Sequence, residues 1–258
     1  MRRGVAGWRR ALVAPLVLLL LSGAVIILLN RPAGDPLPPA GPVIWSANQE
    51  SRDLSEWTAG QKGESVFNTG TGRVEVSQDV AHGGRFSLKM SIQGAAGQTE
   101  GARAFRWSEN QEEAYYSVWF YIPQTYKPVQ WWSIFQFKSV TTESDPMWMV
   151  DIDNRPDGSM YLYLWDAIDG RSFTPRHQID LPVGRWFLLT AYFRRERDGT
   201  GRIALWQGTT LLYDIDHVRT VTGDSVHWGI CNYTDNIAPP DVTIYADDAE
   251  IRTVLAVR

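Results

Sequence analysis

From residue 43 onward the chain is a succession of short runs rich in β-branched and aromatic residues, each closed by a turn signal. No stretch keeps a helical apolar period for three turns. EAYYSVWFYIP (113–123), SIFQFKSV (133–140), PMWMVDID (146–153), SMYLYLWD (159–166), RWFLLTAYFRR (185–195), GRIALWQG (201–208) and VTIYADDAEI (242–251) read as strands. RPDG (155–158), LPVG (181–184), RDGTG (197–201) and APPD (238–241) supply the turns between them. Such a pattern predicts an all-β domain, a jelly-roll sandwich of two antiparallel sheets whose curved sheet offers a trough for an extended polymer.

What precedes residue 43 follows other rules. Residues 11–29, ALVAPLVLLLLSGAVIILL, form an uncharged apolar run long enough to cross a bilayer as a helix, and Arg2, Arg3, Arg9 and Arg10 stand ahead of it. The positive-inside rule keeps those arginines in the cytoplasm and sends the rest outward. The run exceeds an ordinary signal h-region, and its SGA is followed by VIILL, which favours an uncleaved anchor over a cleaved signal peptide. Residues 30–42, NRPAGDPLPPAGP, hold five prolines and read as a semi-rigid linker. The expected organisation is therefore a basic segment and transmembrane or signal helix at 1–29, a linker at 30–42 and an extracytoplasmic domain at 43–258.

A formal charge of −4 without a basic block after the anchor gives no sign of a nucleic-acid partner. Cys231 is the one cysteine, so an intrachain disulfide is excluded and packing, with or without a metal, must hold an exported domain together. Twelve tryptophans and ten tyrosines suit both a large aromatic core and rings that line a sugar-binding groove. No zinc, P-loop or nucleophile-elbow pattern occurs.

WWSIFQFKS (131–139) is the least ordinary strand. Gln136 and Lys138 lie two apart and share a face, with Trp131, Phe135 and Phe137 on the opposite one. An amide and an ammonium beside large aromatics fit a ligand trough, with Trp132 as a stacking surface. HWGICNY (227–233) places His227, Gly229, Cys231 and Tyr233 on one face and adds Asn232 as a polar candidate. Asp151 and Asp153 also share a strand face, as paired glycosidase carboxylates do. The Glu-x-Asp-x-x-Glu pattern of laminarinase-like jelly rolls is absent.

Together with GARAFRWSE (101–109), NRPDGSMYLYL (154–164), LPVGRWF, DGTGRIALWQ and YADDAEI, these segments resemble the polysaccharide lyases grouped with heparin lyase I and glucuronan lyase, across nearly all of residues 43–251. The resemblance implies β-elimination on a uronate-containing polysaccharide. That chemistry needs the uronate carboxylate neutralised, a base for the C5 proton and an acid for the leaving oxygen. Gln136 falls on the family's Gln, and Lys138 stands where a related alginate lyase has His. Arg103 or Arg106 matches the arginine strand, and the two lie on opposite faces. Cys231 occupies the usual tyrosine position, which makes Tyr233 the preferred acid/base, with Tyr161 and Tyr163 as runners-up and His227 as a further imidazole. A non-catalytic carbohydrate-binding module is the rival reading.

The ends of the domain also resemble carbohydrate-active jelly rolls, with an early acid, a His-Gly-Gly turn and a closing Asp-Asp strand. This implies a structural Ca2+ held by Glu50 and Asp247, with Asp53 or Asp248 as substitutes.

Overall fold

In a computed structural model of the protein, the residues described are 36–58, 66–109, 111–139, 146–175, 178–224 and 226–255. They form fifteen strands and one short helix: β1 (Ala40–Ala47), α1 (Ser55–Thr58), β2 (Arg73–Ser77), β3 (Ser87–Ile92), β4 (Ala96–Glu109), β5 (Glu113–Tyr121), β6 (Lys127–Pro128), β7 (Trp132–Ser139), β8 (Pro146–Asn154), β9 (Met160–Asp166), β10 (Arg171–Phe173), β11 (Trp186–Arg194), β12 (Gly201–Gln207), β13 (Thr210–Val218), β14 (Val226–Ala238) and β15 (Val242–Val254). One sheet runs β13-β12-β11-β5-β15-β3-β2 with β1 on β15, and the other runs β10-β9-β8-β7-β14-β4 with β6 on β14. Every pairing is antiparallel. The expected two-sheet sandwich is present.

The alternation that defines each strand also builds the core. In β5, Ala114, Tyr116, Val118 and Phe120 are buried, while the residues between them are partly exposed. Phe137 of β7 stacks on Phe193 of β11 across the two sheets, with centroids 4.1 Å apart. Trp228 of β14 packs near Tyr116, Phe135, Trp45 and Trp57, so four elements meet around one indole. Aromatic burial of this kind replaces the staple a disulfide would provide.

The amino-terminal edge differs from expectation. The first strand begins at Ala40, inside the proline-rich segment, because Pro39 and Pro38 present carbonyls that accept from Leu255 N (2.8 Å) and from the Tyr115 hydroxyl. The expected anchor at 1–29, and the linker as far as residue 35, lie outside the described residues. Among the described residues no helix is long and apolar enough to cross a membrane. LLYDIDHV, unread as a strand, forms most of β13.

Local register decides which side chains reach the outer face of the seven-stranded sheet. Phe135 pairs with Val150 and Ile230, but Ser133 pairs with Asp151 and Tyr233, so the alternation of β7 reverses at Ile134. Trp131 is thereby taken off the Phe135/Phe137 side, against the strict alternation of the sequence. Its ring centroid lies 4.7 Å from that of Tyr233.

Candidate active site

On the outer face of the seven-stranded sheet a cavity of about 470 Å3 is lined by Trp131, Lys138, Met149, Asp151, Tyr163, Trp165 and Tyr233, among others. Cross-strand pairing aligns its floor. Tyr163 pairs with Asp151, Asp151 with Ser133, Ser133 with Tyr233, and Tyr233 with Gly101, one row across five strands. Directly opposed residues share a face, so the row puts a carboxyl and a phenol on either side of a small serine.

Arg103 of β4, two residues from Gly101 on the same face, is the cation beside this row. Its guanidinium carbon lies 4.3 Å from the Tyr233 ring centroid and 4.6 Å from that of Phe67. Nε donates to the Phe67 carbonyl (3.0 Å) and Nη2 to the Thr69 hydroxyl. Two rings and two acceptors hold one guanidinium, and the rings add a cation–π contribution. Burial lowers the Arg103 pKa from its usual value, and the neighbouring Tyr233 and Cys231 oppose that shift. Gly101 makes the close approach of Tyr233 possible, since a Cβ there would lie 2.7 Å from Tyr233 Cδ2.

Arg106 has the other fate. Its Nη1 donates to the Trp57 carbonyl (3.1 Å) and its guanidinium lies 4.7 Å from the Trp45 ring, on the core side of β4. Of the two arginines left open by the sequence, Arg103 alone stands on the cavity face.

Gln136 is fully buried, and neither its Oε1 nor its Nε2 has a hydrogen-bond partner. It sits between Gly229 and Met149 in the sheet. A Cβ on Gly229 would lie 2.4 Å from the Phe105 ring, so glycine lets that ring cover the strand beside Gln136. Lys138 pairs with His227 one level further on. Burial and the Lys138 charge push the His227 pKa down to about 4, and Trp107 packs edge-on at 4.3 Å. The imidazole is therefore neutral at pH 7. Six residues separate His227 from Tyr233 along β14, about 20 Å at ~3.3 Å per residue, so the two act at different places along a bound chain.

Asp151, read from sequence only as half of a glycosidase pair, is 1% exposed, and its Oδ1 has no partner. Burial raises its pKa to about 6, against the pull of Ser133 and Tyr163. Tyr163 lines the cavity beside it, with a phenol pushed above its normal range by burial and by Asp151. Tyr161 lies at the end of the same face, donating to Asp153 (3.3 Å) with its pKa raised to about 12 by burial, and does not line the cavity. No sequence signal gave Asp151 this place. Its neighbours across the sheet come from segments tens of residues apart.

Two expected sugar contacts belong to the core. Trp132 Nε1 donates to Asn232 Oδ1 (2.9 Å), and Asn232 Nδ2 donates to the carbonyls of Met90 and Val242 in the opposite sheet. Both residues are fully buried, and the pair ties the sheets together. The reversal at Ile134 displaces Trp132, while Asn232 falls on the core side by the plain alternation of β14 against Cys231 and Tyr233. Cys231 is also buried, donating to the Ser133 carbonyl (3.1 Å), with its thiol pKa raised to about 12 by burial.

The terminal acids meet around the 82–86 turn as the sequence implied, joining segments some 165 residues apart. Glu50 Oε1 accepts from Arg85 N (2.7 Å) and Phe86 N (2.9 Å). Asp247 accepts from His82 N (2.8 Å), Gly83 N (3.2 Å) and Asp248 N (2.8 Å), while Asp248 Oδ2 lies 2.6 Å from His82 Nδ1. Asp53 caps Ser55 (N to Oδ1, 2.9 Å). Among the described residues no three acidic, histidine or cysteine side chains converge to hold a metal ion. Their carboxylates accept from backbone N–H groups of the turn, and no role in the site is derived through a metal.

The fold is shared with known proteins. Similar structures include the endo-β-1,4-glucuronan lyase of the fungus Trichoderma reesei, 16% identical with a TM-score of 0.61 over 83% of this chain and 96% of that one. The alginate lyase Aly36B, bound to an alginate trisaccharide, is 11% identical with a TM-score of 0.57 over 85% and 100%. The alginate lyase of Aplysia kurodai is 14% identical with a TM-score of 0.51 over 83% and 100%. No curated protein matches the chain. Identities this low speak for fold alone. The sequence itself goes further, because the polysaccharide lyase family matches residues 49–250, a span that includes the seven-stranded sheet, most of the other and the whole cavity, and the chain belongs to that family.

Proposed function

We propose that the domain cleaves a uronate-containing polysaccharide by β-elimination in the cavity of the seven-stranded sheet. The observation that carries this reading is the Arg103–Tyr233 pair at the rim of a cavity lined by Asp151, whose Oδ1 is unpartnered, next to the unpartnered hydroxyl of Ser133. Buried polar groups are normally paired, and these would be paired by a sugar acid.

In the reaction, Tyr233 as phenolate takes the C5 proton and the C5–H electron pair forms the C4=C5 bond. The C4–O bond breaks, and the phenol returns its proton to the leaving oxygen. Arg103 offsets negative charge as it develops beside the ring. Lys138, which lines the cavity, holds a neighbouring uronate with Gln136 buried in the sheet beneath, and the glucuronan and alginate specificities named for proteins of similar fold support an acidic substrate. For a chain of net charge −4, these local cations are what admit an anionic polymer.

The apolar run at 11–29 and the arginines before it support an extracytoplasmic domain held to the cell membrane. The test of the chemistry uses the domain with glucuronan, alginate, heparin and pectate, followed by ultraviolet absorbance of unsaturated ends. A rise abolished by Tyr233→Phe supports the lyase. Binding without absorbance would leave a carbohydrate-binding module, and new reducing ends without absorbance a hydrolase.

A further inference from the structure

Asp151 and Tyr233 flank Ser133 in the same row of the sheet, one on β8 and the other on β14. A sugar seated above that serine would touch both. Gln136, the residue that sequence reasoning put forward to neutralise the uronate, is paired with Gly229, four residues from Tyr233 along β14. On β8 the partner of Gln136 is Met149, two residues from Asp151, so the irregular register of β14 lengthens that count. Gln136 is fully buried and stands outside the cavity lining, whereas Asp151 and Tyr233 both line it, so the row itself supplies another partner for the carboxylate.

We propose, resting on the lyase reading above, that Asp151 is a specificity-determining residue which holds a proton and donates it as a hydrogen bond to the carboxylate of the uronate being cleaved. Asp151 lines the cavity, is almost fully buried, and its Oδ1 has no acceptor or donor within the protein. The Ser133 hydroxyl and the Tyr163 phenol beside it favour ionisation, but burial outweighs them. A buried carboxylate with only partial compensation is costly, whereas a buried carboxylic acid is much less so. Once protonated, the same group offers an O–H to an anionic oxygen, a charge-assisted bond stronger than a neutral one. Ionised, it would set like charge against the substrate in a desolvated pocket.

The titratable and charged groups around it agree with this state. From β9 it meets the phenol of Tyr163, which is itself held protonated by burial. From β14 come the buried thiol of Cys231 and Tyr233, from β4 Arg103 behind Tyr233, and from its own strand the exposed Asp153. On β7 Lys138 stands five residues beyond Ser133, at the level of His227. The shift of the Asp151 pKa to about 6, caused chiefly by burial, places its ionisation within reach of ordinary assays.

The experiment measures the dissociation constants of a saturated tetraglucuronate and an alginate tetrasaccharide by calorimetry at pH 5 and pH 8. It uses the Tyr233→Phe protein, which does not turn the ligands over, and the same protein carrying Asp151→Asn. With Asp151 present, at least one ligand is expected to bind about tenfold or more tightly at pH 5. Asp151→Asn, which keeps a hydrogen-bond donor that does not ionise, is expected to bind nearly equally at both. Equal affinity at the two pH values with Asp151 present, or an unchanged pH dependence in Asp151→Asn, overturns the assignment. Should Asp151→Asn fail to fold by circular dichroism, the pH dependence with Asp151 present decides alone. Binding with the expected pH profile but no unsaturated product from the unmutated chain would keep Asp151 and overturn the lyase chemistry; no binding at either pH would overturn both.

Discussion

The guanidinium carbon of Arg103 lies 4.3 Å from the ring centroid of Tyr233, and Phe67 closes on its other side at 4.6 Å. A planar cation between two rings is a shape that lysine cannot copy. Arg103→Lys is expected to lower kcat about tenfold, and Arg103→Ala on the order of 100-fold, in the range seen when a group stabilising developing charge is removed. Initial rates of absorbance rise on the responsive polymer measure both, and rates equal to the unmutated domain would remove Arg103 from the site.

Gly101 is the seat of the Tyr233 ring. Gly101→Val places side-chain atoms where Tyr233 Cδ2 now lies and is expected to reduce kcat nearly as far as Tyr233→Phe while the domain stays folded. Gly229→Val meets the buried Phe105 ring instead, and its overpacking is expected to lower stability by about 1–3 kcal/mol. Paired thermal melts and rate measurements separate the two outcomes.

Asn232 ties one sheet to the other. Asn232→Ala is expected to cost about 1–3 kcal/mol, because it strands the Trp132 indole N–H and two carbonyls from different strands. KM should stay unchanged, since the amide faces the core. A raised KM at unaltered stability would return Asn232 to the substrate groove.

The Asp151 carboxyl also links stability to pH. Its folded pKa, about 6, lies above the ordinary carboxylate value of 3.8, so the folded state binds the proton more tightly. The resulting stabilisation is complete below the unfolded pKa and is lost as pH rises through about 6. Asp151→Asn is accordingly expected to raise Tm at pH 8 relative to the unmutated domain, with a gain on the order of 1–3 kcal/mol that shrinks toward pH 4. Denaturation curves at the two pH values check the sign.

Glu50 and Asp247 clasp the 82–86 turn through backbone N–H groups. If these bonds carry the clasp, EDTA leaves Tm unchanged and Glu50→Ala lowers it. A fall of several degrees in EDTA, restored by Ca2+, would assign the clasp to a calcium ion.

The strands were legible because their signals are local. Alternation in EAYYSVWFY and turn residues such as RPDG act within a few residues, and β5 and the β8–β9 turn follow them directly. Gln136, Lys138, Arg103, Tyr163 and Tyr233 were legible as polar or aromatic residues on strand faces, and all stand on the cavity side of the sheet. The tryptophan misplacements share one cause. A single reversal at Ile134 took Trp132 into the core and Trp131 to the cavity, and strict period-two counting does not register a bulge.

The sequence by itself determined an all-β domain with an aromatic core, a polar pair on β7 and its family, since these depend on residue type and short-range spacing. Only the tertiary structure decided that Asp151, Ser133 and Tyr233 form one row, that Arg103 and not Arg106 serves it, and that Gln136 is buried outside the cavity lining. Register between strands is set by packing of side chains far apart in the chain, and residues on three strands become neighbours only when that packing is complete.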